Sequence, residues 1–269
     1  MQGILLVDKP AEWTSFDVVN YVRRIVATTE GKKPKHVKVG HTGTLDPFAT
    51  GLLVLLIGKD YTRQAGGFSK LDKTYQVTMK LGETSTTGDP EGIVTSYIRE
   101  NHQSNQNRHL DRSGEIPPSR ETREISRQAQ DDSLVPTRET IEEALKRFRG
   151  QIEQVPPAYS AIKINGQRAY KLARAGKEVV IEPRQVTIHN LEVTDYSYPE
   201  VKLTASVSSG TYIRTLVEDI GQALGSGAYT TQLRRTSVGR FNMQAAVTVE
   251  VIAEQDLSKF ITGAAATSI

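Results

Sequence analysis

The residues best suited to chemistry lie in one stretch, Gly40-His41-Thr42-Gly43-Thr44-Leu45-Asp46-Pro47-Phe48-Ala49-Thr50-Gly51. It contains one carboxylate, Asp46, and one imidazole, His41, with no second acid beside them. Gly40, Gly43 and Gly51 let the backbone turn tightly and come close to a ligand. Thr42, Thr44 and Thr50 supply local hydrogen bonds. A carboxylate on such a loop can act as a nucleophile or take a proton. The same residues also have a plain structural reading, because Asp followed by Pro is an ordinary helix start or turn. A second such pair, in Asp89-Pro90-Glu91-Gly92, reads as a turn and nothing more.

Two apolar runs must hold the loop: Val37 to Val39 before it, and Leu52-Leu53-Val54-Leu55-Leu56-Ile57 after it. Both read as buried strands, and a polar loop between strands is where scaffolds carry functional groups. Gly3 to Pro10 reads as a further buried strand, ended by Pro10. Thr14-Ser15-Phe16-Asp17 opens a helix whose apolar stripe is Phe16, Val19, Val22 and Val26, with Arg23 at its edge. Trp13 reads as a surface-anchoring aromatic. The lysine-rich stretch from Thr28 to Lys38 is either a solvated charge run or a phosphate contact. A helix is expected from about Asp60 to Phe68, and Lys73 to Gly82 alternates as a strand. By itself Tyr75 reads as a strand aromatic packed on the core.

Residues 99–135 differ in kind: six arginines against seven acids, no aromatic and very few aliphatics. That composition buries too little apolar surface to offset the entropy of ordering, so a flexible insertion is expected. A helix follows from Thr137 to Gly150, capped by Thr137 or Thr140. Asn165-Gly166 signals a hairpin turn. Tyr170 to Ala175 starts a short helix, and Val186 to Tyr196 and Val201 to Val207 alternate like paired strands. Gly210-Thr211 then turns into a helix carrying Ile213, Leu216, Val217 and Ile220, with Arg214 beside that face. An arginine in a first turn opposes the helix dipole, so it is either paired with a carboxylate or exposed to solvent. Arg234, Arg235 and Arg240 near the end suit RNA backbone contact.

The chain has 269 residues, enough for one large domain or two modest ones. Hydrophobic content of 37% and charged content of 24% fit a soluble globular protein. No apolar run reaches the length of a membrane span, and the apolar start is cut by Asp8, which excludes a signal peptide. With no cysteine, disulfides, thiolate metal sites and cysteine nucleophiles are excluded, in keeping with a cytoplasmic protein. A net charge of +3 permits RNA binding only where the basic residues cluster on one face. No internal repeat, phosphate-binding glycine loop or zinc pattern is present, and His36, His41, His102, His109 and His189 are scattered.

The central stretch resembles, nearly residue for residue, the signature G-H-T-G-T-L-D-P-x-A-T-G-L-L of the TruB family of bacterial tRNA pseudouridine-55 synthases. Further segments of the chain also resemble family motifs: Asp8 to Val19, Lys73 to Tyr75, Pro156 to Tyr170, Gly210 to Leu216 and Leu233 to Phe241. The resemblance implies an α+β fold with a central, mostly antiparallel mixed sheet flanked by helices and an active-site cleft. It implies a catalytic domain over 1–252, interrupted by the insertion, with a tail at 253–269 too short for the PUA module many members carry. The implied reaction is isomerisation of uridine 55 in the tRNA T arm, with no cofactor or metal. Asp46 would be the catalytic residue, attacking the base or the ribose or abstracting a ribose proton. Arg214 would pair with it, Tyr75 would lie against the flipped base and serve in proton transfer, Tyr212 and Leu233 would line the pocket, and His41 would fill the vacated stack. The expectation is a cytoplasmic monomer whose partner is tRNA. Two alternatives remain open: a non-catalytic RNA-binding or tRNA-folding protein on the same fold, and a synthase for another RNA.

Overall fold

The computed structural model describes residues 1–97, 135–160, 162–164, 166–177 and 179–263. The expected insertion, apart from Val135, and Asn165 of the expected hairpin turn lie outside the described residues. The first part of the chain gives β1 (Gly3–Lys9), α1 (Ser15–Thr29), β2 (Val39–His41), β3 (Thr50–Ile57), α2 (Lys59–Thr62), α3 (Ala65–Ser69), β4 (Lys73–Leu81), β5 (Glu83–Ser85) and β6 (Val94–Ser96). The second gives α4 (Arg138–Lys146), β7 (Gly150–Gln154), β8 (Lys163–Ile164), β9 (Gln167–Arg168), α5 (Ala169–Arg174), β10 (Arg184–Ser197), β11 (Glu200–Val207), α6 (Ile213–Leu224), β12 (Ala228–Val238), β13 (Phe241–Asn242), β14 (Val247–Thr248) and α7 (Val249–Glu254).

One mixed sheet runs in the order β14-β1-β3-β12-β4-β11-β10-β7, with β2 added on β3 and β13 on β12. The β1–β14 and β3–β12 pairs are parallel and the others antiparallel. Strand β3 is apolar without alternation because both of its faces are covered. Leu53, Leu55 and Ile57 pack with α1 and α7, while Leu52, Val54 and Leu56 pack with Tyr61 and Phe68 of α2 and α3. Strand β4 alternates instead: Tyr75, Val77, Met79 and Leu81 enter a third core beneath α4 and α6. From α7 to Thr262 the chain stays on this body, with Leu257 buried beside α1 and Thr262 bonded to Ile4 in both directions at 3.0 Å.

Several expected elements shift. Thr14 caps α1 and closes a capping box with Asp17, but the buried face is Ser15, Val18, Val19, Val22, Val26 and Ala27. Phe16 is 57% exposed, under the Arg23 guanidinium, because Ser15 is the first-turn residue drawn inward. The helix expected over 60–68 is two short ones, Lys59–Thr62 and Ala65–Ser69, separated by a turn at Arg63 and Gln64. The helix expected to reach Gly150 stops at Lys146, and Gly150, at φ +86°, opens β7. Trp13 is half-buried, edge-on to Tyr21 with ring centroids 5.7 Å apart.

Strand β7 pairs with β10 only from Arg184 to Ile188. Beyond that point the segment before β7 covers the edge. Arg149 donates twice to Leu191 O, at 3.1 and 2.8 Å, and Arg138 donates to Val193 O at 3.1 Å.

Candidate active site

Asp46 stands on the loop between β2 and β3, where the glycine-rich sequence expects it. Strands β2 and β3 pair through His41 and Leu55, so both ends of the loop are anchored in the sheet. The Asp46 carboxylate receives Arg214 Nε at 3.0 Å and Arg214 Nη2 at 3.4 Å. The arginine side chain is 5% exposed and the aspartate 33%. Of the two roles open to Arg214, pairing with a carboxylate is the one the fold realises. The arginine projects from the first turn of α6, whose start is set by Gln154. That side chain accepts from Tyr212 N at 2.8 Å and donates to Tyr212 O at 3.1 Å.

Arg214 has a second anion. Its Nη1 lies 3.1 Å from Asp89 Oδ2 and also donates to Thr87 O at 2.8 Å, while Nη2 donates to Tyr159 O at 3.0 Å. The reading of Asp89 as part of a turn and nothing more is therefore corrected. The turn exists, with Gly92 N bonded to Asp89 O, but the Asp89 side chain is buried against the arginine. Sequence reasoning missed it because Asp-Pro already has a sufficient local explanation. The available signal was the polar Thr84 to Asp89 run, similar in kind to the Asp46 loop.

Two carboxylates on one guanidinium leave the cluster net negative. Burial pushes the Asp46 carboxyl above its ordinary range, with Arg214 opposing and the Asp89 charge adding to the rise. Glu91 is raised by burial and by the charges of Asp89 and Asp46. Glu218, one turn beyond Arg214 on α6, is pushed up to about 7 by burial. A second cation lies behind the loop. Lys9 is fully buried, its ammonium lowered to about 8 by burial, with the Asp46 charge the largest opposing influence.

The other expected residues fall around this pair. Tyr75 and Leu233 are buried in one cluster with Leu45 and Ala49, which flank Asp46. Tyr75 sits opposite Arg235, and Leu233 opposite Val77, on adjoining strands. Tyr212 is half-buried, its hydroxyl raised mainly by burial and within electrostatic reach of Asp46. His41 ends β2 on the far side of the loop, and its Nδ1 is buried without a hydrogen-bond partner. Burial, then the charges of Arg235 and Arg168, hold its imidazole below the usual range.

The three arginines expected on RNA phosphates behave differently. Arg235 is 2% exposed and donates to the carbonyls of Leu52, Thr44 and Gly43, so it faces protein. Arg234 forks onto Asp8 at 3.1 and 2.7 Å, and Arg240 lies over the Phe241 ring. Among the described residues, no group of three or more His, Asp or Glu side chains could hold a metal ion.

The model of the TruB family pseudouridylate synthase N-terminal domain matches residues 30–115 and 117–213, and that of the tRNA pseudouridylate synthase B C-terminal domain matches 214–260. The tRNA pseudouridine synthase B of Azoarcus sp. is 41% identical over 256 residues, 94% of this chain and 70% of that protein. The protein of the same name from Phocaeicola vulgatus is 39% identical over 251 residues, 93% of this chain and 92% of that one. Among solved structures, a chain of a Cbf5-Nop10-Gar1 complex superposes with a TM-score of 0.61 at 25% identity; the match covers 94% of this chain and about half (54%) of that one. With the family model spanning most of its length and an ion pair on the aspartate of the family signature, the chain belongs to the TruB family of pseudouridylate synthases.

Proposed function

We infer that this chain isomerises uridine 55 of tRNA to pseudouridine, with Asp46 as the catalytic carboxylate. The observation that carries the reading is the Asp46–Arg214 ion pair, buried on the arginine side and open on the aspartate side, in a chain of this family. The reaction breaks the N1–C1′ bond, turns the uracil, and joins C5 to C1′. C5 gives up its proton and N1 takes one up, so atoms and electrons balance without any group being transferred.

The target base is stacked in folded tRNA and must be extruded, at a cost of a few kcal/mol. His41, at the end of β2, would occupy the space it leaves. Tyr75 and Leu233, whose rings and methyls wall the cluster beside Leu45, would hold the extruded base, with Tyr212 closing the pocket from the start of α6. Tyr75 is also the candidate for moving the C5 proton. Arg214 keeps Asp46 charged and aimed while the base excludes water. The T arm is the proposed recognition element. The catalytic domain is proposed to span 1–252 with the 99–135 insertion, acting as a cytoplasmic monomer.

Tritium release from tRNA labelled at uracil C5, followed by mapping of the modified position, tests the reading. Release confined to position 55, from whole tRNA and from a T-arm stem-loop alike, is expected. Binding without release identifies instead a tRNA-binding protein on this fold, and release from a different position makes it a synthase for another site.

A further inference from the structure

The backbone around Asp46 is held peptide by peptide. Five successive carbonyls accept hydrogen bonds. Gly43 O takes Arg235 Nη2 at 3.1 Å and Thr44 O takes Arg235 Nη1 at 3.4 Å. Leu45 O takes Ser15 Oγ at 3.2 Å, and Asp46 O takes Ala49 N at 3.1 Å. Pro47 O takes Lys9 Nζ at 3.1 Å and Glu12 N at 2.9 Å. The Leu45 amide donates to Ser15 Oγ at 2.8 Å, so one hydroxyl satisfies both polar groups of the residue before the aspartate. An irregular loop has no ladder to use these groups, and leaving them unpaired in a buried setting would be costly. Here side chains from β1, α1 and β12 do the work of a ladder.

Two of these side chains are otherwise unexplained. Ser15 is the first residue of α1 and buried, although a serine at that place normally faces water. Arg235 buries a full guanidinium on β12 and donates three hydrogen bonds to carbonyls, the one from Nε going to Leu52 O at 2.8 Å. It therefore ties the loop to β3, the strand that follows it. The strands touch there: Gly51 is at φ +103°, and a Cβ on it would lie 2.3 Å from Arg235 O.

We propose that Ser15 and Arg235 are positioning residues for Asp46. They act through the loop backbone: together they fix the peptides on the N-terminal side of the aspartate, and so the reach of its carboxylate toward the extruded nucleotide. The hydrogen bonds of the Asp46 carboxylate come from Arg214 and from neither of these two residues. The proposal rests on the isomerase reading above. Its physical basis is that a misplacement of about 1 Å in a preorganised site costs on the order of 10²-fold in rate, and these bonds are what prevent such a shift.

Single-turnover pseudouridine formation by wild type, Ser15→Ala, Arg235→Lys and the double variant tests it, alongside tRNA Kd, melting temperature and the pH–rate profile. Ser15→Ala should lower the rate by about tenfold or more with Kd within about twofold. Its acid limb should stay in place, since no charge has been removed. Arg235→Lys keeps the charge but loses the fork, and should show the same pattern. The double variant should lose less than the product of the two single effects, because both act on one loop. Ser15→Ala at the wild-type rate, or with its whole loss in Kd, overturns the proposal even if Arg235→Lys does not fold. A wild type that releases no tritium refutes the isomerase reading and the positioning proposal with it. An active wild type beside an unimpaired Ser15→Ala refutes the positioning alone.

Discussion

Arg214 holds Asp89 as closely as it holds Asp46, with Nη1 3.1 Å from Asp89 Oδ2 and Nε 3.0 Å from Asp46 Oδ2. The Asp89 side chain is buried and the Asp46 side chain is 33% exposed, so the arginine is anchored on one side by a buried carboxylate and on the other holds one that solvent can reach. This arrangement separates the effects expected of the three residues.

Asp46→Asn should abolish turnover while leaving the melting temperature and much of the tRNA affinity intact. Phosphate contacts dominate affinity, and one carboxylate carries the chemistry. Pseudouridine formed by the purified variant, with contaminating enzyme excluded, would refute the assignment.

Replacing Arg214 should act on both rate and pH. Arg214→Lys retains the charge without the bidentate geometry, and the single-turnover rate should fall by on the order of 10²-fold with tRNA binding little changed. Arg214→Met should be slower still. Asp46 is already raised by burial against the pull of Arg214, so removing that pull should move the acid limb upward. An unmoved limb in Arg214→Met would mean that the pair does not set Asp46 ionisation.

Asp89→Asn should move the acid limb the other way. The Asp89 charge raises Asp46, so its loss eases ionisation of Asp46 and shifts the limb down. The rate at the optimum should nonetheless fall by about tenfold, because Arg214 loses its buried anchor. A downward shift without a loss of rate would show that Asp89 tunes charge but does not hold the arginine.

Glu218 offers a test on stability. Its folded-state pKa of about 7 lies above the ordinary 4.5, so the folded protein binds this proton more tightly than the unfolded chain does. The contribution is present in full below 4.5 and lost as pH rises through about 7. Glu218→Gln removes that loss. Its melting temperature relative to wild type should therefore be higher at about pH 8 than at about pH 5. Thermal melts giving the same difference at both pH values would rule this out.

Much of the scaffold was legible. Strand β3 announced itself as an unbroken apolar run, and β4, β10 and β11 by alternation, because burial on two faces and on one leaves different periods. The loop bearing Asp46 and the pairing of Arg214 were also readable, the second with help from the family signature. Asp89 was not, since a local turn accounts for its residue type and the polar Thr84 to Asp89 run before it does not name its long-range partner, Arg214. Arg235 was misread for a related reason: an arginine that faces phosphates and one that faces carbonyls have the same neighbours in sequence. The face Phe16 takes on α1 depends on Ser15 docking to Leu45, a tertiary contact that helical periodicity cannot contain.

The arginines along β10 have a consequence for how copies of this protein meet. An unpaired run of strand backbone is a template on which another chain can lay a strand, and growth by that route leads to aggregates. Arg149 and Arg138 occupy the Leu191 and Val193 carbonyls just where β7 stops short. That end of the sheet is closed to a newcomer by charged side chains that must first be displaced. Self-association that extends the sheet at this end therefore carries the cost of breaking those three hydrogen bonds first.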